Sequence, residues 1–398
     1  MTKIISLNLG NFGSTGRIAR GIVELSNEEG YDTCFAYPDN LFNVPIQNGD
    51  IRISSDIVRR INERASYYTG YIGCFSFFTT WRLIRKLKKI KPDILHLHNI
   101  HNSYVNHSML FRYIKKYDVR TVWTLHDCWA FTGQCPYFTL EGCEKWKYGC
   151  YGCSLYKQYP ATCYDNTKKM WKLKKKWFTG VSDMTLVTPS LWLANLVKQS
   201  FLKDYPVRVI NNGIDFSVFR PTESNFRKKY DLEGKFVILG VAFDWGIRKG
   251  LDVFIELAGM LGEEYAIVLV GTTDAIDKEL PKNIVSIHRT ADQSELAEIY
   301  TACDVFANPT REDNFPTVNI EALACGTPVI TFNTGGSVEI PDETCGAITE
   351  KNDAESLYNE IIKEKHMPKP RQACLNRAKL YDRNEKFREY IELYKEGY

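Results

Sequence analysis

Long hydrophobic runs are missing from this chain of 398 residues. The uncharged run Ser66 to Trp81 falls short of the roughly 20 residues that cross a bilayer as a helix, and Thr, Ser and Gly interrupt it. No apolar stretch of secretory length precedes Gly10 and Gly13, so the chain is expected to stay in the cytoplasm. Repeats of about 20 to 50 residues and low-complexity segments are absent, which argues against solenoids and flexible arrays. The dinucleotide fingerprint Gly-x-Gly-x-x-Gly does not occur, which argues against a nicotinamide-dependent dehydrogenase. Disorder is excluded too, since charged residues make up 25% and hydrophobic residues 44% of the chain. Cysteine, by contrast, is plentiful, at twelve. In a cytoplasmic chain that number points to metal ligation or buried thiols, not to disulfides.

The net charge of +3 conceals an imbalance: residues 1–208 carry 29 Lys+Arg against 16 Asp+Glu, and the remainder carries 22 against 32. A basic first half suits an anionic partner such as phosphates or lipid headgroups, although solvated helix faces account for many of these charges. Each half opens with a short apolar strand followed by a glycine turn. Ile4 to Leu9 runs into Gly10-Asn-Phe-Gly-Ser-Thr-Gly16 and a helical pattern through Ile18, Ile22, Val23 and Leu25. Further strands are predicted at Asp93 to His98, Thr121 to Leu125 and Thr185 to Thr188. The second half restarts at Phe236 to Ala242 and continues with Ala266 to Gly271, Ile284 to Ile287, Val305 to Ala307 and Pro328 to Thr331. Short, β-branched, uncharged runs alternating with helices imply parallel sheets covered on both faces. The expected organisation is α/β: a first doubly wound domain at 1–208 with a Cys-rich insert at about 128–163, a second at 209–380, and a C-terminal helix at 381–398 that packs on either domain. Ligands of such sheets bind beyond the carboxyl ends of the strands, so two facing domains would form a cleft.

One stretch concentrates chemistry. Asn308-Pro-Thr-Arg-Glu-Asp-Asn-Phe-Pro-Thr-Val-Asn-Ile-Glu-Ala-Leu-Ala-Cys-Gly-Thr-Pro-Val-Ile330 reads as a strand end, an acidic loop, a helix starting near Pro316 and a turn into the next strand. Amides of a first helical turn can hold an anion. Asp313 would lie just outside that positive end and Glu321 inside the helix.

This string resembles the acid-x7-acid signature of the retaining glycosyltransferases of family four, whose GT-B fold sets two Rossmann-like domains face to face. The family usually has Glu-x-Phe-Gly, then Glu-Ala-x-Ala-x-Gly-x-Pro-Val. Here the matching residues are Asp313-Asn314-Phe315-Pro316 and Glu321-Ala-Leu-Ala-Cys-Gly-Thr-Pro-Val329. The first acid is Asp313, or Glu312 one position earlier. The resemblance, which runs from Asn8 to about Gly346, implies that Glu321 holds the nucleotide ribose and that Asp313 contacts the donor sugar. Asn211-Asn-Gly-Ile-Asp215 resembles the opening of the family's second domain. Arg248-Lys249-Gly250 resembles its phosphate turn, with Asp244 where the family has arginine. Gly13-Ser-Thr-Gly16, followed by Arg17, resembles the first-domain loop beside the donor diphosphate and acceptor. His126, at the end of a strand, matches a histidine that points toward the transferred sugar. His96, His98 and His101 read as cleft wall or packing.

The function so implied is retaining transfer of a sugar from a nucleoside-diphosphate donor, UDP or GDP, to a glycan or lipid-linked glycan in bacterial surface-polysaccharide synthesis. No Asp-x-Asp triplet occurs, so no cofactor is expected for catalysis. Alternatives are a nucleotide-sugar epimerase of the same architecture, or a zinc-ribbon protein that binds nucleic acid, a partner not expected here.

Two further features stand apart from the signature. Cys135, Cys143, Cys150 and Cys153 form the tightest set of a structural Zn2+ inventory, with sets using Cys128 or Cys163, or metal-free buried thiols, as alternatives. Tyr67 to Lys91 and Lys168 to Phe178 interleave aromatic and basic residues. They suit peripheral contact with an anionic membrane, or equally well amphipathic helices packed into their own domain.

Overall fold

Short β-branched runs do become parallel strands in the computed structural model, which describes residues 1–45, 47 and 49–396. The first sheet contains β1 (Lys3–Leu7), β2 (Asp32–Tyr37), β3 (Ile51–Arg52), β4 (Ile94–Leu97), β5 (Arg120–Thr124), β6 (Met184–Thr188) and β7 (Val207–Val209), in the spatial order 3-2-1-4-5-6-7. The second contains β8 (Phe236–Val241), β9 (Tyr265–Val270), β10 (Ile284–Ile287), β11 (Val305–Asn308), β12 (Val329–Phe332) and β13 (Gly346–Thr349), in the order 10-9-8-11-12-13. Every residue of β4, β9, β11 and β12 is buried, as strands covered by helices on both faces must be.

Each order reverses at one point, between β1 and β4 in the first sheet and between β8 and β11 in the second. Chain leaving neighbouring strands there goes opposite ways and opens a crevice beyond their carboxyl ends. The loops that follow these four strands are therefore where each sheet can receive a ligand. They lead into Gly13 and Gly16 at the start of the next helix, and carry His98 and His101, Arg248 and Lys249, and Glu312 and Asp313.

The chain divides into two compact units, Met1–Ile210 joined by the segment from Phe387, and Asn211–Lys386. The helix Arg383–Lys395 thus begins in the second unit and ends in the first. Within the first unit Phe387, Tyr390, Ile391, Leu393 and Tyr394 are buried with Ile4, Ile18, Ile22, Ile94 and Val122. Burial of such side chains contributes roughly 1.5–3 kcal/mol each. A Cβ on Gly21 would come within 2.3 Å of the Phe387 ring, so glycine allows this close approach. Arg120 fastens the helix end, donating to the carbonyls of Leu393 and Tyr394 at 2.7 Å each.

Between β5 and the helix Thr167–Phe178 the chain forms only two 3-10 turns, Trp129–Phe131 and Lys145–Lys147, yet Trp129, Phe131, Cys135 and Trp146 are buried. This is the Cys-rich insert.

Candidate active site

In the second unit the loop after β11 is held by one arginine. Arg311 grips Asp252 with both ends of its guanidinium, at 2.7 and 2.8 Å, and donates to the Ile247 carbonyl at 2.5 Å. Its amide donates to the Arg248 carbonyl at 2.8 Å. The acidic loop is thereby fixed to the Ile247–Lys249 turn after β8, across the topological switch. Gly335 (φ +54°) closes the other side, where a Cβ would lie 1.8 Å from the Asp313 carbonyl oxygen. A side chain there would force the loop outward. Neither Arg311 nor Gly335 was singled out from the sequence. An arginine inside an otherwise acidic loop was the available signal for the first.

This clamp brings Lys249 and Asp313 together, with Nζ and Oδ2 2.5 Å apart and both side chains largely buried. The second Asp313 oxygen accepts from the amide of Asn314 at 2.9 Å. Arg248 reaches the Glu312 carbonyl at 3.4 Å. Glu312, Asn314 and Phe315 are buried, and the Phe315 ring packs against Tyr381 while its carbonyl accepts from Asn212. The helix Thr317–Ala324 starts directly behind Pro316, with no side-chain cap on its first turn. The Asn319 amide turns back to the Pro316 carbonyl at 3.2 Å, and the amides of this first turn form the positive end of the helix dipole. Glu321 is 7% exposed and accepts from the hydroxyl of the fully buried Tyr300 at 3.2 Å. Burial raises the Tyr300 phenol well above its ordinary range, and the Glu321 charge adds to this, so the hydroxyl remains a donor.

In the first unit the loop after β1 is pinned by Asn8, whose amide donates to the Gly10 carbonyl at 2.7 Å and whose oxygen accepts from the Asn99 amide at 3.1 Å. Gly13 opens the helix Gly13–Glu28 and Gly16 is buried within it. Arg17 is exposed and lies in the second turn of that helix, not at its start. His126 sits just beyond β5, its Nε2 3.1 Å from Nδ1 of His98. Burial lowers His126 to about 4 against the opposing charge of Asp127, so the ring is neutral near pH 7. His101 contacts Asp127 at 3.4 Å, and Tyr159 contacts His101 at 3.3 Å. Burial disfavours the Asp127 carboxylate, but the bonds from His101 and the Trp129 amide hold its pKa below the usual value. His96, which reads from the sequence as cleft wall or packing, bonds Thr124 at 2.8 Å and the buried Tyr394 hydroxyl at 2.7 Å.

Asn102 and Tyr159 also line a cavity of about 530 Å³, together with Arg59, Arg60, Glu63 and Arg64. Arg59 is engaged by Asp56 and Glu63 at 2.5 Å each and Arg60 by Asp56 at 2.7 Å, and the Arg60 and Arg64 side chains reach solvent. The helices Asp56–Thr69 and Phe77–Ile90 are joined by the Ser76 amide donating to Asn62 at 3.1 Å. They expose Ile57, Ile61, Tyr68, Phe77, Phe78 and Trp81, with Arg82 and Arg85 over aromatic rings. The second basic-aromatic stretch behaves differently. Met170, Trp171, Lys174 and Phe178 turn inward, so Lys174 has no exposed surface. Among the described residues no helix is long and apolar enough to cross a membrane.

No disulfide joins the cysteines of the described residues. The Cys135 thiol bonds Cys153, which draws Cys153 down to about 7 and pushes Cys135 up. Cys163 instead bonds Tyr67. Among the described residues, the set of three or more His, Cys, Asp or Glu ligand atoms lying within 4.8 Å of one another is the exposed group Asp274, Asp277 and His288. The thiols are not drawn that close.

Two family models match the chain: Glycosyltransferase Family 4 over residues 34–218, and Glycosyl transferases group 1 over residues 222–381. WcaC of Escherichia coli K12, named for colanic acid biosynthesis, is 27% identical over 264 residues, covering 64% of this chain and 63% of WcaC. A Campylobacter jejuni N,N'-diacetylbacillosaminyl-diphospho-undecaprenol alpha-1,3-N-acetylgalactosaminyltransferase is 30% identical over 161 residues, 37% of this chain and 41% of that one. The chain thus covers less than two thirds of the length of these curated relatives. Among solved structures, sucrose-phosphate synthase from Thermosynechococcus elongatus superposes with a TM-score of 0.73 at 16% identity, covering 100% of this chain and 99% of that one. HepE from Anabaena, solved with UDP and glucose, superposes with a TM-score of 0.69 at 14% identity and full coverage of both chains. With the two family matches running through 34–381 and both sheets reversing at their switch points, the chain belongs to the family-four glycosyltransferases of the GT-B fold.

Proposed function

We propose that this protein transfers a sugar from a nucleoside-diphosphate donor, UDP or GDP, to a glycan or lipid-linked glycan acceptor in surface-polysaccharide synthesis, with retention at the anomeric carbon. The observation that carries the reading is the clamp in the second unit. It sets a cation (Lys249) and a carboxylate (Asp313) before a helix whose first turn has no side-chain cap and which carries a second carboxylate (Glu321), at the switch point between β8 and β11. Lys249 and the amides of that turn meet the diphosphate charge, which grows as the glycosidic bond breaks. Glu321 accepts from the ribose hydroxyls, and Asp313 lies beside the sugar. The acceptor hydroxyl bonds the anomeric carbon on the face the diphosphate leaves. Its proton passes to the departing phosphate oxygen, so no covalent enzyme intermediate forms. In the first unit, His126, neutral and 3.1 Å from His98, lies beyond β5, and Gly13 and Arg17 lie in the first two turns of the helix after β1, beside the switch point of that sheet.

The names of relatives support this substrate class: one acts on a diphospho-undecaprenol-linked sugar, another belongs to colanic acid synthesis, and HepE was solved with UDP and glucose. A lipid-linked acceptor also agrees with the exposed apolar face carrying Ile61, Phe77 and Trp81 among arginines, which suits the inner surface of an anionic membrane. Arg60 and Arg64 beside the 530 Å³ cavity suit a phosphate-bearing acceptor head. The test is product analysis by proton NMR after incubation with nucleotide sugars and a lipid-linked acceptor. Retained configuration with stoichiometric release of nucleoside diphosphate is expected. An inverted product, or an epimerised sugar formed without acceptor, would overturn the reading.

A further inference from the structure

We infer that Cys135, Cys143, Cys150 and Cys153 bind one Zn2+ as a tetrathiolate clamp, with the buried Lys174 as its counter-charge. The insert needs a cross-link. Loops beyond roughly 12–15 residues without regular structure are uncommon in compact domains. Here the whole stretch from β5 to the helix Thr167–Phe178 holds two 3-10 turns and no disulfide, yet buries Phe131 and Trp146.

Four thiols neighbour one another, although no three of their sulfurs lie mutually within 4.8 Å. Cys135 bonds Cys153, and Cys150 faces both Cys153 and Cys143. The amide of Gly133 donates to Cys150 Sγ at 3.1 Å, the kind of bond that supports a thiolate ligand. Cys143 and Cys153 are half-buried, and the metal would have to draw the four sulfurs within ligand distance. Cys163 is taken up by Tyr67.

Lys174 supplies an independent argument. It is 0% exposed, donates to the Trp129 carbonyl, and sits 3.5 Å from the centre of the Trp129 ring. The ionisable groups facing it are Cys150, Cys135, Asp127 and His107, and Asp127 accepts from the Trp129 amide, with His101 3.4 Å away. Asp127 already places one negative charge near Lys174, and a zinc tetrathiolate, with a net charge of −2, would add to it where neutral thiols add nothing. Binding forms four Zn–S bonds and releases the four thiol protons to solvent. With all four positions filled by sulfur the ion is structural and leaves no site for substrate.

The inference does not rest on the sugar-transfer reading. Its test is elemental analysis of the full chain purified without chelator, with cobalt exchange followed by visible absorption. About one zinc per chain and a tetrahedral cobalt–thiolate spectrum are expected. Zinc should vanish in Cys135→Ser and Cys153→Ser and persist in Cys128→Ala and Cys163→Ala. Because the first two variants risk misfolding, Lys174→Met provides the second measurement. Competition with a chromogenic chelator should show zinc affinity lowered roughly 10- to 100-fold. A metal-free chain with freely titrating thiols, a disulfide in place of the thiols, or zinc retained in Cys135→Ser would overturn the inference.

Discussion

Replacing Lys249 with Met removes a charge while keeping most of the stem, and the structure sets two different magnitudes for the result. In the folded protein Lys249 neutralises Asp313 at 2.5 Å, with side-chain exposures of 18% and 15%. The variant leaves that carboxylate with the Asn314 amide but without its cation, which should lower stability by about 1–3 kcal/mol. Asp313→Asn in the same chain should recover part of the loss, because no uncompensated carboxylate then remains. The loss in turnover should be larger. One preorganised donor removed from a developing anion typically costs about 10²–10³ in rate. Asp313→Asn alone should act in the opposite sense on binding, since it releases Lys249 for the diphosphate, while still lowering turnover. Denaturant midpoints, titration calorimetry with UDP and GDP, and initial rates separate the three effects. Unchanged nucleotide affinity and a wild-type rate in Lys249→Met would refute the assignment.

The first unit should lose stability in mild acid. Burial lowers His126 to about 4, His96 and His107 to about 3, and His98 strongly, against 6.5 when unfolded. The unfolded chain then takes up protons first, so stability is complete above about pH 6.5 and is lost as pH falls toward 4, by on the order of 3 kcal/mol for His126 alone. Tryptophan fluorescence follows this unit, because every tryptophan except Trp245 lies in it; a midpoint unchanged between pH 7.5 and 5 would contradict the argument. For the membrane face, changing Phe77, Phe78 and Trp81 to Ser should abolish sedimentation with anionic vesicles, whereas changing Lys172 and Lys175 should matter little, since their helix packs its aromatic side inward. Equal loss in both variants would contradict that distinction. Arg120→Ala should detach the end of the C-terminal helix, at about 1–3 kcal/mol, read as faster hydrogen exchange from Tyr390 to Lys395.

What could be read from the sequence followed from how local its physics is. The buried strands from Phe236 to Thr331 announce themselves as β-branched runs, and the string Asn308 to Ile330 as loop, helix and turn chemistry at fixed spacing. β2, with Asp, Thr and Cys in its first half, and β3 and β7, of two and three residues, carry too little pattern to stand out. Pairings across distance were invisible. Arg311 and Asp252 are 59 residues apart, and Lys249 and Asp313 are 64. Composition alone made Lys174 one cation among several. Its helical register with Met170, Trp171 and Phe178, at intervals that bring them to one face, was the signal that it turns inward. Glu321 was placed by motif, but its bond to Tyr300 depends on how a neighbouring helix packs.

The central claim, that the second unit holds a nucleoside diphosphate around Glu321, is tested most directly by calorimetric titration of UDP, GDP and dTDP into the wild-type protein and Glu321→Gln. One nucleotide should bind the wild type, and the substitution should weaken it roughly 10-fold or more, by loss of a charged hydrogen-bond acceptor worth about 1.5–3 kcal/mol. No binding by any of the three nucleotides, or equal affinity in a folded Glu321→Gln, would contradict it.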